Sequence, residues 1–228
     1  MDGRYGTLYM IPCPISDETE PWDVLPAANR AVMDGLDYFI VEARRFLSRA
    51  GIARPIDTLE FRELNEHTVA GRDVEELIAP LLAGRSAGMI SEAGVPGVAD
   101  PGALAAEACH RRGIRVVPLV GPSSILLALM ASGLNGQSFA FNGYLPVKAP
   151  ERARAVRMLE RRAAAEGQSQ LFIEAPYRND KLFAQLLETL APATRLMVAV
   201  DITAPGERIL TRTVEEWRRS GRPELNKR

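Results

Sequence analysis

Cysteine is nearly absent from this chain: Cys13 and Cys109 are the only two, far apart and outside any CxxC or Cys/His cluster. That excludes a disulfide-built scaffold and argues against a structural zinc site. In its Ala-rich helical stretch, Cys109 reads as a buried structural thiol. Histidine is as scarce. His110 reads as a surface residue beside Arg111 and Arg112, whereas His67 can be read as functional or as structural; neither has metal-ligand spacing, so no metal is expected. No stretch approaches the roughly 20 apolar residues that span a bilayer. Residues 1–10 show neither the basic nor the apolar region of an export signal. A reducing, cytoplasmic setting without membrane attachment is therefore expected.

A surplus of one charge is missing too, since 28 Lys/Arg against 29 Asp/Glu leave a net charge of −1. A dedicated nucleic-acid binder usually carries a basic excess. Arginines cluster only locally, at Arg152, Arg154, Arg157, Arg161 and Arg162. They read as a solvated helix face, with a phosphate-contacting patch as the alternative. The chain also has no GxGxxG, no GxxxxGK[ST] and no GxSxG, so the common dinucleotide, phosphate-loop and hydrolase signatures are excluded.

What is present is an ordinary globular composition, 46% apolar and 25% charged over 228 residues, enough for one large unit or two smaller ones. Strands are predicted at 7–11, 36–41, 58–64, 86–91 and 114–119, and helices at 24–33, 42–50, 74–82 and 101–112. Gly51 and Gly84 stand where helices should stop, and Asp100-Pro101 where one should start. This alternation predicts parallel βαβ units. A second cycle follows: helix 125–132, strand 138–144, helix 149–165, strand 171–174, helix 181–190, and strands 196–200 and 207–213. The change near Pro118 to Pro122 predicts two units, 1–118 and 119–228. Residues 221–228 are turn-like where a closing strand would be natural.

Two segments could carry chemistry. Ser91-Glu92-Ala93-Gly94-Val95-Pro96-Gly97-Val98-Ala99-Asp100-Pro101-Gly102 lies between a strand and a helix, where open parallel sheets bind ligands. Its glycines allow close backbone approach and positive φ, and its prolines stiffen it. Val120-Gly121-Pro122-Ser123-Ser124-Ile125 offers hydroxyls and free N–H groups at a helix start, suited to an acceptor-rich ligand or to simple helix capping.

These segments occur in order with three others: Gly6-Thr7-Leu8-Tyr9-Met10-Ile11-Pro12-Cys13-Pro14-Ile15, Asn142-Gly143-Tyr144-Leu145-Pro146 and Glu174-Ala175-Pro176-Tyr177-Arg178. Together they resemble the tetrapyrrole methylase superfamily, and most closely its bacterial 16S ribosomal RNA 2′-O-ribose methyltransferases. The resemblance covers nearly the whole chain. It implies two αβα domains with S-adenosyl-L-methionine folded into a cleft between them, and a homodimer. Carried over, Gly94, Val95, Pro96 and Val98 would line the methionine and ribose part of the cofactor. Ser123 and Ser124 would hold its polar groups, and Glu174 and Ala175 would approach the adenosine side. No catalytic residue is assigned, because methyl transfer in such a family depends mostly on positioning.

Departures fall mainly on the substrate side. Ser16-Asp17-Glu18 replaces the usual Gly-Asn pair, and Val41-Glu42-Ala43-Arg44-Arg45 keeps only the Glu of Ala-Glu-Asp-Thr-Arg. Tyr177 stands where the pattern has His. The expected acceptor is the RNA ribose of the small ribosomal subunit, held by Arg44, Arg45 and Arg178. A tetrapyrrole or other metabolite, or an inactive cofactor-binding dimer, are the alternatives.

Overall fold

A computed structural model of the chain describes residues 4–42, 45–64, 71–221, 223 and 225, which divide into two units, Met1–Ser123 and Ser124–Arg228. The division lies beyond Pro118 because Leu119 and Val120 are still tied to the first unit. Leu119 N donates to Met10 O at 2.9 Å, and Asn29 Nδ2 donates to Val120 O at 2.8 Å.

The first unit is built on β1 (Thr7–Ile11), β2 (Tyr38–Val41), β3 (Glu60–Glu63), β4 (Ala87–Ile90) and β5 (Arg115–Pro118). They form one sheet in the order β3-β2-β4-β1-β5 with every pairing parallel. The runs YFIV in β2 and AGMI in β4 are buried at every position, as strands covered on both faces must be. Alternate residues serve opposite faces. Leu8, Met10, Tyr38, Ile40 and Met89 pack with α4 (Arg72–Leu82) and α5 (Gly102–Arg111). Ile11, Phe39, Val41 and Ile90 pack with α2 (Ala27–Asp34) and α3 (Arg45–Ala50). Cys109 is fully buried in the first cluster, where burial and then the Glu75 charge push its thiol up to about 12.

The helix predicted over 24–33 is broken. One turn, α1 (Pro21–Val24), precedes it, and Leu25 between them is extended at φ −110°, ψ 136°. The residue before a proline is kept out of the helical region, and Pro26 follows here. The predicted stops are in place, with Gly51 at φ 57° and Gly84 at φ 93°.

The second unit comprises α6 (Ser124–Ala131), β6 (Phe139–Tyr144), α7 (Ala149–Glu166), β7 (Ser169–Ile173), α8 (Asn179–Thr189), β8 (Arg195–Val200), β9 (Arg208–Thr213) and α9 (Val214–Ser220). β6 and β7 are parallel, whereas β8 and β9 form an antiparallel hairpin, because their short connection cannot carry a crossover. Among the described residues these remain two separate two-stranded sheets. They share one apolar cluster with Val156 and Leu159 of α7, Phe183 and Leu186 of α8, and Trp217 of α9. Trp217 lies edge-on to Phe183 at 5.4 Å and donates from Nε1 to Leu196 O at 2.9 Å.

Helix α9 is absent from the sequence prediction, although Thr213 and Glu216 form a capping box at its start. Arg152 also departs from the solvated face expected of α7. It is buried, bonds the Gln185 side chain through Nε and donates from Nη1 to Val147 O at 3.2 Å. No helix among the described residues is long and apolar enough to cross a membrane.

Candidate active site

β1 and β4 are neighbours from whose carboxyl ends the chain departs in opposite directions, toward β2 on one side and toward β5 on the other. Such a point leaves a crevice at the sheet edge. Here the loops that leave it are locked to each other. Cys13 N donates to Gly94 O at 2.8 Å, and Cys13 Sγ donates to Ser91 O at 3.4 Å. Burial, and then the Asp100 charge, raise the Cys13 thiol far above its ordinary value, so it is inert as a nucleophile.

The loop after β4 takes a shape that few sequences allow. Gly94 sits at φ 69° and Gly97 at φ 84°, and Ala99 holds φ 62° against the preference of a residue with a Cβ. Asp100 fixes this conformation by accepting from Gly97 N at 2.9 and 3.0 Å and from Gly102 N at 2.6 Å. Its carboxylate thus serves the start of α5, which begins one residue after the predicted Pro101. Burial raises the Asp100 carboxyl above the ordinary range, although these N–H donors pull it down. Glu42, the residue kept from the family pattern after β2, accepts from Glu92 N at 3.3 Å.

The third loop, after β5, is pressed against the first. A Cβ on Gly121 would stand 2.3 Å from Pro12 Cβ, so only glycine fits. A Cβ on Gly94 would lie 3.5 Å from Pro122 O, which places that turn beside the 121–123 segment. The structure therefore gathers Gly94, Val95, Pro96, Val98 and Ser123 at one end of the first sheet. Gly94 and Pro96 are buried there, whereas Val98 is 46% exposed.

The remaining predicted residues belong to the second unit. Ser124 opens α6, and Glu174 and Ala175 follow β7. The Glu174 side chain is 4% exposed and its Oε1 accepts from Ala175 N at 2.8 Å and from Arg178 Nε and Nη2 at 2.7 and 2.6 Å. Its other oxygen, Oε2, is buried with no hydrogen-bond partner. A buried carboxylate oxygen ordinarily has a donor. Arg178, expected to contact RNA phosphate, is paired here with Glu174. Tyr177, 76% exposed, lies with its ring 5.3 Å from the Arg178 guanidinium. Arg44 and His67 lie outside the described residues, Arg45 opens α3, and His110 is exposed on α5. The apolar helix α6 has no buried residue, and Leu126 and Met130 are 55% and 77% exposed.

A parallel sheet whose carboxyl-end loops are glycine-bent and tied together is an α/β architecture with a crevice at the carboxyl ends of its strands. The family model for Tetrapyrrole (Corrin/Porphyrin) Methylases matches residues 26–217. Ribosomal RNA small subunit methyltransferase I of Neisseria meningitidis serogroup B is 33% identical over 92% of this chain and 69% of that protein. Its Escherichia coli O157:H7 counterpart is 31% identical over 91% and 69%. Among solved structures, the methyltransferase CobJ aligns over 97% of this chain and 90% of its own, with TM-score 0.61 and 17% identity. Uroporphyrin-III-C-methyltransferase from Thermus thermophilus aligns over 95% and 86%, with TM-score 0.55 and 20% identity. These two likenesses concern the fold. The chain belongs to the tetrapyrrole methylase family and is an S-adenosylmethionine-dependent methyltransferase.

Proposed function

We propose that this chain methylates ribosomal RNA of the small subunit at a ribose 2′-hydroxyl, working in the cytoplasm as a homodimer. The observation that carries the acceptor is the 33% identity, over 92% of the chain, to a protein named as a small-subunit ribosomal RNA methyltransferase. The homodimer is supported by the uncovered apolar face of α6, which a second copy would bury.

The residues present fit the cofactor. Gly94 at φ 69° offers its backbone at the sheet edge, and the exposed side chain of Val98 gives an apolar contact for a methionine chain. Ser123 and Ser124 supply hydroxyls for polar groups. Glu174 Oε2, buried and unpartnered, suits an adenosine hydroxyl or amine. Bound S-adenosylmethionine supplies a methyl group already activated by its sulfonium. The task left to the chain is alignment: the Cys13–Gly94 bridge and the Asp100 bonds hold the loop rigid, so that a positioned hydroxyl meets the methyl in line. The cationic hold on RNA would fall to Arg44, Arg45 and Arg178, with Arg157 and Arg161, exposed on α7, as a further patch.

The test uses small ribosomal subunits from a strain deleted for this gene and labelled S-adenosylmethionine. Transfer of about one methyl group per particle to a ribose, blocked by loss of the Gly94 turn, is the expected result. Absence of transfer to subunits and to naked RNA, by protein that still binds the cofactor, would exclude RNA as the acceptor.

A further inference from the structure

Two tyrosines stand at one end of the second unit, outside the residues that fit the cofactor. Tyr144 closes β6 and is 57% exposed, and Tyr177 follows β7 and is 76% exposed; they are the two most exposed of the five tyrosines. Both lie at the carboxyl end of the parallel pair, since Tyr144 is opposite Ile173, the last residue of β7. Each ring is set by its own backbone. The register of β6 on β7 shifts between Phe141 and Tyr144, where Gly143 sits at φ 61°. A Cβ there would meet nothing within 4 Å, so glycine is present for its conformation rather than for space. Such a bulge re-aims the side chains beside it. Asn142 braces it by donating from Nδ2 to Ala140 O and Leu171 O, both at 3.2 Å, and Leu145 on the far side of Tyr144 is buried. Tyr177 is fixed in a tight turn, with Pro176 before it and Arg178 N donating to Ala175 O at 2.9 Å. The Arg178 guanidinium, 5.3 Å from the ring centre, is itself anchored on the buried Glu174 carboxylate.

We propose that Tyr144 and Tyr177 form a stacking platform for unpaired bases of the RNA acceptor, an inference that rests on RNA being that acceptor. An exposed ring fixed by its backbone loses little freedom when a flat partner covers it. Unpaired bases are such partners, and proteins that hold single-stranded RNA stack them on aromatic rings and on arginine planes. Arg178 beside Tyr177 extends the flat surface, since a guanidinium also stacks. Its charge is balanced by Glu174, so the platform offers no net positive charge to a flat polycarboxylate such as a porphyrin. A base carries no charge of its own and needs none. Stacked bases and clamped phosphates also differ in their response to salt, because only phosphate contacts release counterions.

The experiment uses the full chain, small ribosomal subunits from a strain deleted for this gene, and labelled S-adenosylmethionine. Tyr177→Ala should raise the half-saturating concentration of subunits about tenfold, and Tyr144→Ala combined with it about a hundredfold, as for one and two lost stacking contacts. Tyr177→Phe should restore what Tyr177→Ala loses, because the ring rather than its hydroxyl stacks. Cofactor affinity should not change. The slope of log affinity against log salt should stay that of the parent, whereas truncating an arginine that holds phosphate would reduce it. Transfer to subunits by the double variant at the parent's half-saturating concentration would overturn the platform and leave RNA standing as the acceptor. A shallower salt slope, or an equal loss of cofactor affinity, would also overturn it, by placing the rings against phosphate or adenosine. A parent chain that binds the cofactor yet methylates neither subunits nor naked RNA would remove the RNA reading itself, and the platform with it.

Discussion

The two units meet the same problem, burying the faces of short strands, with unequal success. In the first, five parallel strands form one sheet with helices on both faces, and β2 and β4 are sealed. In the second, two ribbons share one cluster and strand side chains such as Phe139 and Tyr144 remain 41% and 57% exposed. A covered sheet can hold a loop cluster rigid at its edge, and the Gly94 turn stands on such a sheet. The unsealed unit has less to hold its strands, and its amides should exchange first.

Predictions that strain this contrast can be ranked by size. Phe39→Ala removes a ring that is fully buried between β2 and its covering helices, and should cost about 3–5 kcal/mol in denaturant unfolding. An equal loss from truncating the half-exposed Tyr144 would erase the difference between the units. Arg178→Ala comes next, because it leaves the Glu174 carboxylate buried without its cation. With Arg178 itself 21% exposed the loss should be about 2 kcal/mol, less than for a sealed pair, and Glu174→Gln in the same chain should recover part of it. Additive losses in that double-variant cycle would show the pair to be uncoupled.

Thr213→Ala removes the cap of α9 and should cost about 1 kcal/mol, read as a lower Tm. The smallest effect concerns Asp100. Its raised carboxyl means that the folded chain takes up this proton at a higher pH than the unfolded chain. The resulting stabilisation is complete below the ordinary carboxylate value and is lost as pH rises through the raised one. Asp100→Asn should flatten that part of the stability–pH curve in the acidic range, and an unaltered curve would remove Asp100 from the account.

Much of the first unit was legible because buried parallel strands are continuous apolar runs and its helix stops are glycines. The break at Leu25-Pro26 was also written in the sequence, in the proline that forbids a helical residue before it. Helix α9 carried a readable signal too, Thr213 three residues before Glu216. Arg152 was not legible in this way. Its burial depends on Gln185 of α8 and the Val147 carbonyl, which spacing along α7 does not reveal. The Glu174–Arg178 pair could have been read from its four-residue separation, but the orphaned Oε2 could not. Five site residues were brought together by contacts distant in sequence, Cys13 with Gly94 and Pro12 with Gly121, and only the family resemblance hinted at that grouping.

The central claim is that the Gly94 turn seats the cofactor, and calorimetric titration with S-adenosylmethionine and its demethylated product tests it most directly. The parent should bind about one molecule per chain. Gly94→Val adds a β-branched side chain at φ 69°, so it should lose that binding and melt at a somewhat lower temperature while keeping its circular dichroism and a cooperative transition. A folded Gly94→Val variant that binds as tightly as the parent would contradict the account.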